Sequence, residues 1–260
     1  NSSDEHLVAG TYEKLYYVNP SLTVTDITPS SGFTSGSVSG ALNTGFGGGF
    51  YGLNNYGRTP SHSGVYAEAT TWSLDTWGEY LLAVSSTDGK LLEWQGNVNA
   101  KAATVANAPT GNNAMVVTEE RFVFCLGAGG NPRKVQWSDK ENNTVWNATA
   151  TNEAGDMELQ TNGQIMSGIR MRGATLILTD TDAHVATYSG APFVYGFERV
   201  GTACGVASRK GAVAIDEGAF WMGKKGFYTF DGSTAKEIPC EVADYVFDDM
   251  NPSQVSKVYA

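Results

Sequence analysis

Cysteine is scarce in this chain of 260 residues, and the three that occur, Cys125, Cys204 and Cys240, are an odd and scattered set. Such a set does not form a disulfide framework, and no C-x-x-C pair is present to bind a metal. We therefore interpret the cysteines as small buried apolar residues, and we predict no metal site and no cofactor. Proline is also rare, with 8 residues against 31 glycines, so Gly, Asn and Asp are expected to make the turns.

Positive charge is sparse as well. Charged residues make up 17% of the chain, the formal net charge is −10, and the basic residues cluster only in short pairs: Arg170/Arg172, Arg209/Lys210 and Lys224/Lys225. Neutralising a phosphate backbone requires clustered Lys and Arg, which argues against tight binding of nucleic acid. An acidic surface would still let DNA slide past without sticking, because like charges repel.

Long apolar runs are absent, and the sequence predicts no membrane span and no signal peptide. The hydrophobic fraction of 41% is nevertheless that of a globular protein with a core. The chain begins with Asn and stops at "SQVSKVYA", which resembles the inside of a strand. We expect that the sequence is truncated at both ends.

What the sequence does contain is a recurring hairpin, an apolar β-rich run followed by a turn of Gly, Asp or Lys and a second run. The four copies span residues 80–96, 121–139, 174–190 and 219–232. Each second run ends in an aromatic residue, one spacer, and then Gly or Asp. These closing aromatics, Trp94, Trp137, Tyr188 and Phe230, are separated by 43, 51 and 42 residues.

A hairpin that recurs at this spacing predicts an all-β fold, a β-propeller of roughly four-stranded blades, in which neighbouring blades bury each other's aromatic side chains. Further strands are expected before the later copies, in "NAMVVTE", "QIMSGIRM" and "KGAVAID". A β-sandwich with a chance similarity between hairpins is the alternative. The segment "CEVADYVFDDMN" (240–251) is the best candidate for a short helix.

The repeat also suggests where the chain divides. An earlier copy, "HLVAGTYEKLYYVN", indicates a first propeller hairpin in residues 1–23. A Gly/Tyr-rich insertion or loop would follow in 24–70, and propeller blades in 71–239. Residues 240–260 would hold the short helix and the start of a further strand.

The insertion contains "TGFGGGFYGLNNYG", which matches G-x-G-x-x-G at Gly47, Gly49 and Gly52. A dinucleotide-binding loop needs a preceding apolar strand and a following helix, and the polar, turn-rich flanks predict neither. Aromatic residues alternate with glycines here, which suits a loop that orders against a partner. The candidate subunit contacts are Phe46, Phe50, Tyr51 and Tyr56, together with Trp146 in a second loop; an ordered cap on the domain's own surface is the alternative.

Catalytic constellations are weak in this sequence. Carboxylate pairs occur at Asp180/Asp182, Asp248/Asp249 and Glu119/Glu120, but turns supply such pairs by default. His184 follows Asp182 closely, and we expect its side chain to face solvent. No G-x-S-x-G is present and no Ser/His/Asp set is defensible by spacing, so we predict no catalytic residue and no enzymatic activity.

Taken together, "WSLDTWGEYLLA", the long segment from "VQWSDKENNTVW" to "VGTACGV", and "AFWMGKKGFYTFDG" resemble virion structural proteins of tailed bacteriophages. The likeness is to the tail nozzle, or tail tubular protein B, of short-tailed phages, and it covers roughly residues 40–255. The resemblance implies a propeller-bearing subunit of a hexameric ring below the portal and adaptor, with DNA as passing cargo. It also implies assembly in the host cytoplasm, a final place in the virion tail, and no enzyme activity.

Two other functions remain open from the sequence. One is a phage adhesin whose propeller face binds host glycans through loop aromatics such as Trp146. The less favoured one is a propeller glycoside hydrolase, which requires two carboxyl groups that face each other across a cleft.

If the Gly/aromatic stretch contacts a neighbouring subunit or another tail protein, deletion of residues 44–57 should weaken assembly while the remaining domain still folds. Glycine permits the backbone conformations such a loop needs, and the aromatics supply the buried area. Particle yield and circular dichroism of the deletion variant measure the two effects. Unchanged assembly would contradict the assignment.

Overall fold

In the computed structural model, residues 7–40, 68–216 and 218–260 are described, and within them the chain is almost entirely β-structure. Five antiparallel sheets follow one another along the sequence, each a meander in which successive strands pair. The fold is a β-propeller whose blades are these sheets. We number the blades 1 to 5 in chain order.

The strands and the helix have the following bounds. Blade 1 consists of β1 (Leu7–Gly10), β2 (Leu15–Val18) and β3 (Val24–Asp26). Blade 2 consists of β4 (Trp72–Trp77), β5 (Tyr80–Ser85), β6 (Leu91–Trp94) and β7 (Ala103–Thr104). Blade 3 consists of β8 (Ala114–Val117), β9 (Val123–Leu126), β10 (Lys134–Trp137) and β11 (Gly155–Glu158).

Blade 4 consists of β12 (Ile165–Met171), β13 (Ala174–Thr179), β14 (Asp182–Gly190) and β15 (Val194–Thr202). Blade 5 consists of β16 (Ala212–Ile215), β17 (Gly218–Met222), β18 (Phe227–Phe230) and β19 (Ala235–Ile238). Helix α1 (Ala243–Asp249) and a 3₁₀ segment (Pro252–Lys257) follow the last blade.

The four repeated hairpins of the sequence are the central strand pairs of blades 2 to 5. The first strand of each of these blades packs against the first strand of the next, so that β4, β8, β12 and β16 succeed one another around a common axis. Two face-to-face layers would not place the first strands together in this way. The prediction of propeller blades is therefore confirmed, and the β-sandwich alternative is wrong.

One apolar cluster fills each junction between successive blades. Along β8, Ala114 and Val116 belong to the cluster shared with blade 4, whereas Met115 and Val117 belong to the cluster shared with blade 2. This is the period-two alternation of a strand buried on both faces, which reads in sequence as an unbroken apolar run. Blades 1 and 2 share a third cluster around Trp72, and blades 4 and 5 share a fourth around Trp221.

The closing aromatics of the repeat are all in these junctions, but they do not all face the same way. Trp94, Tyr188 and Phe230 pack toward the preceding blade. Trp137 packs toward the following blade, where its ring lies 5.6 Å from that of Tyr195. The aromatic positions predicted to be equivalent thus lie on opposite faces, because a shift of one residue in a strand exchanges its two faces.

Cys125 and Cys204 are buried, as predicted, and Cys240 is half-buried. Burial raises the pKa of the Cys204 thiol to about 11, which keeps it protonated and unreactive. The predicted short helix is α1, shorter than the segment 240–251.

Blade packing generates a stability prediction at Gly168 in β12. A Cβ atom there would lie 2.7 Å from Cδ1 of Leu126 and 2.9 Å from Cγ1 of Val116, so Gly168→Val should overpack the junction of blades 3 and 4 and cost about 1–3 kcal/mol. Urea unfolding measures the change. The matched control is Gly196→Val in β15, where the nearest atom is 4.0 Å away; an equal loss in both variants would contradict the explanation.

Candidate functional site

Of the five predicted subunit contacts, the structure describes only Trp146. Phe46, Phe50, Tyr51 and Tyr56 lie outside the described residues. Trp146 lies in a loop, between β10 and β11, as predicted, but the predicted contact of its ring with a partner or a glycan is wrong: the residue is only 2% exposed and packs in the cluster between blades 2 and 3. Its Nε1 donates to the carbonyl oxygen of Asn143 over 2.7 Å, which folds the loop back onto the core.

The three carboxylate pairs lie in three separate places. Asp248 and Asp249 are exposed on α1. In the turn between β8 and β9, Glu119 accepts the amide of Gly173 over 2.6 Å and Glu120 accepts the hydroxyl of Tyr195 over 3.1 Å. Asp180 and Asp182 lie in and beside the turn between β13 and β14, and both line a polar cavity.

His184 was expected to face solvent, and this is wrong, because its side chain is only 4% exposed. Its Nε2 lies 3.2 Å from Oδ1 of Asp182. The approach is not aligned as a hydrogen bond, so Nε2 has no hydrogen-bond partner in the described part of the chain. Burial lowers the pKa of His184, a tendency that the neighbouring Asp182 opposes.

No group of three or more His, Cys, Asp or Glu side chains among the described residues is arranged to hold a metal ion. Within the same residues, no helix has the length and apolar character needed to cross a bilayer.

Blade 5 presents an apolar surface that no described blade covers, its far face, which we define as Val213, Ile215, Phe220, Phe227 and Ile238. Ala219, Trp221 and Phe230 point toward blade 4, and the strand alternation turns the five far-face residues the other way. Val213 is 42% exposed and Ile215 is 51% exposed.

The sequence of β16, "AVAI", is as continuously apolar as that of β8, yet only one of its faces is covered. In sequence, that run is typical of a strand covered on both faces, and it does not reveal that one face of β16 is open. It indicates that the far face of blade 5 is built to be buried, in the way that every inner blade buries its own far face.

Part of the far face is already covered by the chain that follows it. The rings of Phe227 and Phe247 lie 5.6 Å apart, so α1 packs at one end of the sheet. Residues 258–260 pass beside the start of β16, at the same end of the strands as Phe227 but nearer the first strand, where the amide of Ala260 donates to the carbonyl of Lys210 over 2.9 Å. A groove of about 530 Å³ remains between them, lined by Val213, Phe220 and Tyr259 among others.

Blade 1 presents a corresponding surface at the other end of the array, its near face. Val8 and Tyr17 pair in register and point toward blade 2. Leu7, Val18 and Val24 are therefore on the opposite side, where Leu7 is 63% exposed and Val24 is 59% exposed.

The two surfaces are both apolar, but they face opposite directions in the order of the blades. The far face of blade 5 is the kind of face that each blade turns to its successor. The near face of blade 1 is the kind that each blade turns to its predecessor. Together they could form one further blade junction of the type that occurs four times inside the chain.

No family model matches the chain, and no curated protein matches it. Solved structures do. One is an extracellular domain from B. thetaiotaomicron described as that of a one-component system, with a TM-score of 0.54 and 10% identity over 100% of this chain and 28% of that one. Another, described as that of a hybrid two-component system, has a TM-score of 0.52 and 12% identity over 91% of this chain and 26% of that one.

A third structure, a streptogramin B lyase, has a TM-score of 0.48 and 11% identity over 93% of this chain and 81% of that one. Of the two B. thetaiotaomicron proteins, by contrast, the chain spans only about a quarter of the length. At these identities the similarity shows the fold alone, because one fold serves many functions.

The buried histidine makes stability depend on pH. The unfolded chain protonates His184 as the pH falls through about 6.5, whereas the folded chain holds the pKa lower, so the folded state loses stability below that value. Wild type should therefore lose more unfolding free energy than His184→Gln between about pH 7 and about pH 5. Urea denaturation at both pH values measures it, and equal losses would refute the assignment.

Proposed function

We propose that the protein is a structural component of a bacteriophage tail, a nozzle or hub subunit that assembles into part of the ring through which DNA exits. The partners are other copies of the chain, as a hexamer, and the portal, adaptor and other tail proteins. DNA is cargo rather than ligand, in keeping with the net charge of −10, and the role is not enzymatic. The sequence resemblance to tail nozzle proteins supports this proposal.

The pair of apolar end faces is the observation that carries it. A contact between the far face of blade 5 in one copy and the near face of blade 1 in the next is heterologous, because two different surfaces meet. Heterologous contacts repeat from copy to copy and close into a ring when the rotation permits. The partner that fits the far face of blade 5 is therefore the near face of blade 1 in a second copy of the chain, because one is a face turned to a successor and the other a face turned to a predecessor.

The alternatives are less well supported. The adhesin hypothesis relied on Trp146, whose ring is in the core and cannot stack on a sugar. In the hydrolase hypothesis two carboxyl groups must act on one substrate, but of the two carboxylates that line the cavity only Asp182 keeps an oxygen without a hydrogen bond or ion pair to the described residues. Asp180 contacts Nζ of Lys224 at 3.2 Å, and Asp182 accepts the hydroxyl of Thr161 over 2.8 Å.

Three valines of the chain provide a matched test of the ring contact. Val213→Lys places a charge on the far face of blade 5, and Val24→Lys places one on the near face of blade 1. Either should convert assembled protein to monomer, because burying an unpaired ammonium group is strongly unfavourable. Sedimentation velocity of the purified full-length protein measures the distribution of species.

The control is Val98→Lys in the turn between β6 and β7, since Val98 is 43% exposed and Val213 is 42% exposed. This variant should assemble like wild type. Wild-type protein that stays monomeric at its highest soluble concentration, alone and with its tail partners, would overturn the proposal. So would rings that persist in both end-face variants.

A further inference from the structure

A polar cavity of about 790 Å³ opens where blades 3, 4 and 5 meet. Its walls are the turns that join the second and third strands of these blades, the linkers that lead into β12 and β16, and parts of β14, β15 and β18. The volume falls in the range of about 300–1,000 Å³ that small-molecule sites occupy. Trp146, the one predicted contact among the described residues, does not line this cavity.

Asp182 is a fixed carboxylate in the wall of the cavity, with only 6% of the residue exposed. Its Oδ1 accepts hydrogen bonds from the hydroxyls of Thr161 and Thr179. Thr161 is itself held, since its oxygen accepts the amide of Gly163 over 3.0 Å. Among the described residues, no hydrogen bond engages Oδ2, so this oxygen is available to accept one from a ligand.

The basic side chains around the cavity favour a negatively charged group on the ligand. Four of them line it, Arg133, Arg199, Lys224 and Lys225, against the two carboxylates Asp180 and Asp182. Lys224 pairs with Asp180 and Arg133 pairs with Glu158. Arg199 and Lys225 form no ion pair with any described residue, which leaves two cations at one opening of an acidic protein.

Tyr228 adds an aromatic surface to the same cavity. Its ring stacks on Trp221 with centroids 6.0 Å apart, and its hydroxyl donates to the carbonyl of Ala203 over 3.2 Å. Both contacts hold the ring in place against the wall.

We propose that this cavity binds an acidic saccharide. Sugar hydroxyls would donate to Oδ2 of Asp182, a carboxylate on the sugar would pair with Arg199 and Lys225, and the apolar face of a sugar ring would lie on Tyr228. Free phosphate fits less well, because its charge is concentrated next to the carboxylate of Asp182 and it has no apolar face to lie on Tyr228. The inference does not depend on the proposed role in tail assembly.

The test measures binding of a tri-galacturonic acid and of its neutral, carboxyl-reduced counterpart by isothermal titration calorimetry. Wild type should bind the acid form with a dissociation constant about tenfold or more below that of the neutral form. Arg199→Gln and Lys225→Gln together should remove that preference. Asp182→Asn should weaken the binding of both saccharides, because the asparagine side chain has one acceptor oxygen where the aspartate has two.

The control is Arg172→Gln, which removes one positive charge, against two in the double variant, from the turn between β12 and β13 of blade 4, outside the cavity. It should leave both affinities unchanged. The proposal is overturned if neither saccharide binds, if the two bind equally, or if Arg172→Gln weakens binding as much as the double variant does. Binding should persist in Val213→Lys, which separates this proposal from ring assembly.

Discussion

Burial of one blade face against the next is the interaction on which this structure depends. A single four-stranded sheet leaves two apolar faces in water, and only stacking around an axis covers both. Each junction has its own cluster, so the core is a series of layers rather than one central mass. The close approach of β12 to β8 at Gly168 shows how tightly the layers are matched, since a single added methyl group would meet side chains of blade 3.

The same repetition determines what happens at the ends of the array. The inner blades cover both of their faces, whereas blades 1 and 5 each keep one apolar face that no described blade covers. A surface of this kind favours association, because removing it from water releases free energy in proportion to its area. A blade junction joins two different faces, so a contact between the two ends is head-to-tail, whereas a symmetric dimer interface pairs the same face of both copies.

The cavity lies at one end of blades 3, 4 and 5. The strands supply a rigid frame in which Asp182 at the start of β14, Arg199 in β15 and Lys225 in the turn between β17 and β18 surround one cavity. The hydroxyls of Thr161 and Thr179 fix the carboxylate of Asp182 by donating hydrogen bonds to its Oδ1. Tyr228 lines both the cavity and the groove on blade 5, but Val213 lines only the groove, so a substitution at Val213 examines assembly without altering the cavity.

The sequence by itself determined the central hairpins, the first strands of blades 3 to 5 and the propeller class, because period-two apolar runs and Gly or Asp turns are local signals. It assigned residues 24–70 to an insertion or loop, whereas Val24–Asp26 form the third strand of blade 1. It did not predict that Trp146 and His184 are buried, since the burial of a loop or hairpin residue depends on what the neighbouring blade places against it. Nor did it distinguish the covered strand β8 from the half-covered strand β16, whose apolar runs read alike. Only the tertiary structure decided which faces meet a neighbour and which side chains share a cavity, because those contacts join residues far apart in the chain.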